Sequence, residues 1–189
     1  MMVNIAQLWL PIVLGTVLAW VASALIHMLL KYHNSDYQPL SNEDEVSTAM
    51  RNGSVEQGFY CMPYCSDMSE MQNEDLQHKF IKGPVAFIAV FPSGLPQMGK
   101  LMVQQILFFL IGCAMIAYVA GLSLSPGAEY MTVFRFVGTV GFMTFGWAVV
   151  PFSIWYGHPW STTGKYLLDA FIYGAVVAGT FAWLWPAAA

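Results

Sequence analysis

His27, His33, Asp36 and His158 are the residues of this 189-residue chain best suited to chemistry. An imidazole gains or loses its proton near neutral pH and offers a nitrogen lone pair. Histidines gathered with a carboxylate can therefore ligate a metal or haem iron, hold a quinone headgroup or relay protons. Gln104, Gln105, Ser153, Thr162, Lys165 and Asp169 fall toward the same end of the elements derived below. The competing reading is plain: these are wet residues at an interface, and His27 hydrogen-bonds a neighbouring helix. Haem is disfavoured, because transmembrane haem sites pair histidines across helices and only His27 lies within an apolar segment.

A second group is Cys61-Met62-Pro63-Tyr64-Cys65 with Met68, Met71 and His78 beyond. Two thiols four residues apart, with thioethers near, are soft ligands that suit Cu(I), which makes Cys61, Cys65 and Met68 candidate metal ligands. The spacing is not that of a zinc Cys-x2-Cys pair, no second pair exists, and no histidine or methionine follows at the spacing of an oxidase copper site. Reduced, structural thiols are the simpler expectation. No Gly-rich phosphate loop, His-Glu-x-x-His or nucleophile elbow occurs, so the sequence leans away from an enzyme and names no cofactor.

What positions these groups follows from composition. The chain is 57% hydrophobic and only 10% charged, against about 25% charged in soluble domains. Its principal partner is therefore expected to be the lipid bilayer. A net charge of −4 with no basic tract excludes a nucleic-acid or polybasic lipid-binding role. A span needs about 20 apolar residues, and four stretches qualify: Ala6 to Leu30, Leu101 to Leu122, Tyr130 to Val150 and Leu167 to Trp185. Breaks fall at Ser125-Pro126-Gly127, at Pro151, at Gly157-His158-Pro159 and at Pro186. The first stretch is too long for a signal peptide and lacks a basic start, so it is expected to remain as a span. The fold class is thus an all-α membrane protein: a four-transmembrane-helix bundle with a long, partly ordered loop between helices 1 and 2. Its parts are residues 1–30, 31–100 and 101–189, the last holding spans 101–122, 130–150 and 167–185.

Cations set orientation. Lys31, Arg51, Lys79, Lys82 and Lys100 lie in the long loop and Lys165 in the connection between spans three and four, while the termini and the 123–129 turn carry none. Residues 31–100 and the 151–166 connection are expected in the cytoplasm, with both termini outside. Within the loop, Ser41-Asn42-Glu43-Asp44 resembles a capping box opening a helix to Arg51, with Gly53 as its stop. Asn73 caps a second helix ending before Gly83-Pro84. Val85 to Phe91 reads as a buried strand or an interface-lying segment.

Small residues at four-residue spacing mark helix contacts in lipid. Span one offers Gly15, Ala19 and Ser23; span two Cys113, Ala117 and Gly121; span three Gly138, Gly141 and Gly146. Span four offers two registers, Ala175 and Gly179, or Gly174, Ala178 and Ala182. His27 continues the span-one series, so it is expected to point into the bundle. Asp169 lies off the span-four stripe and four residues after Lys165, which reads as an interfacial ion pair. Arg135 reads as an interfacial anchor.

The segments Ser23-Ala24-Leu25-Ile26-His27-Met28, Lys31-Tyr32-His33-Asn34-Ser35-Asp36-Tyr37, Pro63-Tyr64-Cys65-Ser66-Asp67, Gln97-Met98-Gly99-Lys100, Ile154-Trp155-Tyr156-Gly157-His158-Pro159-Trp160 and Gly179 to Pro186 together resemble a family of uncharacterised bacterial multi-span integral membrane proteins. The resemblance covers nearly the whole chain. It implies a bacterial inner membrane and carries no activity, cofactor or site residue. Two functions follow as expectations: a non-enzymatic accessory, assembly or structural subunit, with other membrane subunits or a second copy as partners; or a redox or metal-handling protein using His27, His33 and His158 or the Cys61/Cys65 loop.

Overall fold

The computed structural model describes residues 2–188. In chain order the elements are α1 (Ile5–Leu30), α2 (Glu43–Asn52), β1 (Gly58–Met62), α3 (Glu74–Lys82), β2 (Ala86–Val90), α4 (Met98–Ser123), α5 (Tyr130–Trp155) and α6 (Trp160–Trp183). Helices α1, α4, α5 and α6 are each long and apolar enough to cross a membrane. The chain divides into two units, residues 1–37 with 97–189, and residues 38–96. The first boundary therefore falls after residue 37 rather than at residue 30, for a reason the site makes plain.

In the first unit the four long helices form a ring: α1 packs on α4 and α6, and α5 packs on the same two. Phe109, Ile116, Val133, Val137, Val177 and Phe181 are fully buried between them. Glycine sets the closest approach. A Cβ at Gly174 would lie 2.9 Å from the Phe142 backbone nitrogen and 3.1 Å from the Gly138 carbonyl oxygen, so α5 and α6 touch backbone to backbone there. Of the two registers on α6, the packed one is Gly174, Ala178 and Ala182; a Cβ at Gly179 would meet nothing within 4 Å. Gly15 faces Cys113, Val177 and Phe181, which fits α1 into the groove between α4 and α6. The chain start is fastened by Val3 N–H donating to the Gly121 carbonyl at 3.0 Å.

Pro151 does not end α5. It sits in the first turn of the final helical segment, Val150–Trp155, which follows a tightened turn at Trp147–Val149. There a missing N–H breaks no helical bond, so the helix runs on to Trp155. Likewise α6 begins at Trp160, about two turns before the apolar run itself, where Thr162 and Lys165 have partners described below.

The second unit is small and polar. Its α2 starts at Glu43 with Asn42 before it and without a side-chain cap bond, so the capping box expected at Ser41 does not form, whereas Gly53 follows its last residue as expected. The Asn73 side chain accepts from the Asp75 and Leu76 N–H groups and opens α3. The 85–91 run is a strand: β2 pairs antiparallel with β1, Gly58 opposite Val90 and Met62 opposite Ala86. That partner was not evident beforehand, because β1 is defined by long-range pairing rather than by an apolar run of its own.

Candidate functional site at the His33 end of the bundle

The last turns of α1, Leu25–Leu30, are wound as a π-helix. Ile26, three residues after Ser23, takes the next buried position in place of His27, four residues after it, since both steps keep to one helix face. The expected inward position of His27 is met in part: His27 is exposed, at the edge of a cavity between the helices. Its ring is nonetheless fixed. His27 Nδ1 lies 3.0 Å from the Ser23 carbonyl oxygen. A carbonyl only accepts, so Nδ1 carries the proton and Nε2 keeps its lone pair in the neutral ring.

After α1 the chain turns sharply at Lys31, whose φ of 52° and ψ of 20° place it in the left-handed region. This carries the short 3-10 turn Tyr32–Asp36 back over the start of α6. Six side-chain contacts hold it there. His33 Nε2 lies 2.9 Å from Asp169 Oδ2, and the Tyr32 hydroxyl donates to Asp169 Oδ1. Lys165 Nζ donates to Asp36 Oδ1 at 2.5 Å, to Ser35 Oγ at 2.7 Å and to the Tyr32 carbonyl at 2.9 Å. Thr162 adds a bond to Asp36 Oδ1 at 3.2 Å. The expected Lys165–Asp169 pair is therefore replaced by Lys165–Asp36, because the turn inserts its own carboxylate beside the lysine. These contacts explain why residues 31–37 belong with the helices.

His33 is the centre of the arrangement. Its Nδ1 lies 2.8 Å from Asp36 Oδ2, and its ring stacks on His27 at 4.8 Å with the planes 4° apart. Tyr32 and Tyr166 tilt against it at 4.7 and 4.9 Å. The side chains of His33, Asp36 and Asp169 are 8%, 5% and 4% exposed, so water contributes little to their solvation. Burial of Asp36 works to raise its pKa, but bonds from Lys165, His33 and Thr162 and the lysine charge outweigh it, and the carboxyl is held below its ordinary value. Burial, followed by the bond to Asp169 and its charge, pushes the Tyr32 phenol well up, so it stays a donor.

Both ring nitrogens of His33 thus face carboxylates, and a carboxylate only accepts. Asp36 orients the ring and accepts the hydrogen bond from Nδ1–H, the arrangement by which an outer carboxylate sets the tautomer of a ligating histidine. That leaves Nε2 and Asp169 Oδ2 facing each other, and a cation must lie with them: a second proton, or a metal. His27, His33 and Asp169 each have a donor atom within 4.8 Å of the other two.

Of the candidates from sequence, His27, His33 and Asp36 come together here. His158 does not join them; it is exposed, its ring contact is with Phe152 at 5.3 Å, and its backbone N–H bonds the Phe152 carbonyl. The break at Gly157 turns it away before α6 begins. Cys61 is on β1, Cys65 donates from its thiol to the Asp67 carbonyl at 3.0 Å, and Met68 is 81% exposed. Both thiols are free, and among the described residues neither cysteine belongs to a group of three or more histidine, cysteine or carboxylate donors. From sequence, Asp169 is gathered at this end but paired with Lys165, and Tyr32 is missed as a member of the site. The signal for Asp169 was present: Asp169, Tyr173, Val177 and Phe181 recur every four residues, and all are buried.

Beside the cluster lies a cavity of about 480 Å³ between α1, α4, α5 and α6, bordered by His27 and Asp169 but not by His33. Compared with family models, curated proteins and solved structures, the chain matches none.

Proposed function

We propose that this chain is a metal-handling integral membrane protein, with α1, α4, α5 and α6 as its four spans and a divalent first-row cation held by His27, His33 and Asp169. The observation that carries the reading is His33 Nε2 lying 2.9 Å from Asp169 Oδ2 while the other nitrogen of His33 already faces Asp36. Two bonds of about 2.1 Å at a right angle put their donors about 3.0 Å apart, so this spacing suits neighbouring ligands of an octahedral cation. A proton alone would satisfy His33 and Asp169. It would leave unused the lone pair of His27, whose other nitrogen is already anchored to Ser23.

Donors on one cation with bonds of about 2.1 Å lie at most ~4.2 Å apart. The cluster must therefore close by on the order of half an ångström, a movement open to the exposed His27 ring. Two imidazoles and one carboxylate on part of the shell are the donor set of open non-haem iron sites, and imidazole also suits zinc and nickel. The accessory- or assembly-subunit role is a compatible setting for such a protein. Its motive is weaker, since the small-residue faces around Gly15, Gly141 and Gly174 are taken up by packing among the chain's own helices.

We further propose a bacterial inner membrane, following the family resemblance, with residues 31–100 cytoplasmic and both termini outside, following the cations. The test of function is elemental analysis of the protein purified in mild non-ionic detergent without chelator. About one iron, manganese, zinc or nickel per chain is expected. A chain that is metal-free and stays so after incubation with each of these ions overturns the reading and leaves a protonated His33 between two carboxylates.

A further inference from the structure

Resting on the metal reading, we infer that the cavity beside the cluster takes a single-chain anionic amphiphile, a fatty-acid-like carboxylate, whose head meets the cation and whose tail lies between α1 and α4. The cavity has two chemistries. Trp20, Ala24 and Met28 of α1 face Leu101, Met102 and Phe108 of α4 across it, while His27, Asp169, Tyr166 and Gln105 supply polar groups. Met28, Leu101 and Met102 are exposed residues of apolar helices, so its mouth opens sideways. With α1 and α4 as spans, that side is hydrocarbon. A ligand arriving from there must carry an apolar body and present a polar end.

Charge selects the end. Lys165 and Asp36 offset each other. A divalent cation with two neutral imidazoles and one carboxylate then leaves a net charge of +1 at the cavity's polar end. His27 and Asp169 border the cavity and His33 stands behind, so the coordination positions left open by three protein donors face the ligand space. An oxygen anion fills such a position and neutralises the centre, and in surroundings that exclude water this attraction is far stronger than in bulk solvent. Without the metal the centre loses both its net positive charge and its open coordination positions, so nothing there draws a carboxylate. Binding of the amphiphile is therefore linked to the metal. The volume, about 480 Å³, falls in the lower half of the ~300–1,000 Å³ range of small-molecule cavities, which suits one chain better than two.

Trp20 provides the readout. The Zn(II)-loaded protein in non-ionic detergent is titrated with stearate brominated at mid-chain, and the tryptophan quenching that disappears in Trp20→Phe is taken as the cavity signal. Saturable quenching is expected, weakened by on the order of tenfold or more when zinc is stripped. Stearyl alcohol with the same bromines should bind no better to loaded than to stripped protein, and acetate should compete only weakly. Ala24→Phe, which fills the apolar part of the cavity without removing a metal donor, should abolish the signal while zinc per chain is unchanged.

Equal quenching with and without zinc, or by alcohol and acid alike, would overturn the inference and make the cavity an ordinary lipid groove. So would occupation by brominated phosphatidylcholine that stearate fails to displace. Bound zinc with no saturable signal removes the inference but keeps the metal site, whereas absence of bound zinc removes both.

Discussion

The imidazole of His33 reaches the carboxylate of Asp169 across 136 residues of chain, Nε2 to Oδ2 at 2.9 Å. That contact joins the end of α1 to the start of α6, and with Tyr32 and Lys165 it closes the polar end of the bundle. Its chemistry is a histidine whose two nitrogens both face acceptors, which is the feature a cation resolves.

Removing the carboxylate should therefore cost stability as well as metal. Asp169→Ala leaves the Tyr32 hydroxyl and His33 Nε2 without their buried partner, and breaking a buried ionic pair costs about 3 to 5 kcal/mol. A clear drop in the temperature at which the detergent-solubilised protein loses its monodisperse peak is expected, with a smaller drop for Asp169→Asn. An unchanged midpoint for the alanine variant would mean that the cluster does not hold the helices together.

His27 separates ligation from folding. It is exposed and its bond is to its own helix, so His27→Gln should leave thermal stability nearly unchanged and lower bound metal severalfold or more. His158→Gln, at a residue outside the cluster, should change neither. Equal metal content in all three proteins would remove His27 from the site.

Helix packing has a matched pair of tests on α6. A methyl at Gly174 would press on the α5 backbone at 2.9 Å, and Gly174→Ala should destabilise by about 1 to 3 kcal/mol. At Gly179 a methyl meets nothing within 4 Å, so Gly179→Ala should be neutral or stabilise by up to ~1 kcal/mol through helix propensity. Thermal inactivation of the two variants side by side reads the difference, and equal midpoints would contradict the α5–α6 contact.

Reporter fusions address topology. With α1, α4, α5 and α6 all crossing, fusions at Ser54 and after Ala189 should report opposite sides, Ser54 in the cytoplasm. Two reports from the same side would make the number of crossings odd.

The sequence by itself determined what local physics controls. Apolar runs of span length become α1, α4, α5 and α6, since a helix satisfies its own backbone wherever it lies. Asn73 opens α3 through bonds two and three residues away, and the Gly174, Ala178, Ala182 stripe becomes a contact face because four-residue spacing repeats on one side of a helix. It brought His27, His33 and Asp36 to one end, being near neighbours in the chain. The tertiary structure decided the rest. Whether Asp169 would pair with Lys165, four residues away, or with Tyr32 and His33 depended on where the left-handed turn at Lys31 set the 3-10 segment down. Ile26 rather than His27 took the buried place after Ser23, and the chain past Gly157 took His158 elsewhere. Side-chain spacing along one helix is fixed by its pitch, but distances between helices are set by close packing of whole faces, which no short stretch of sequence contains.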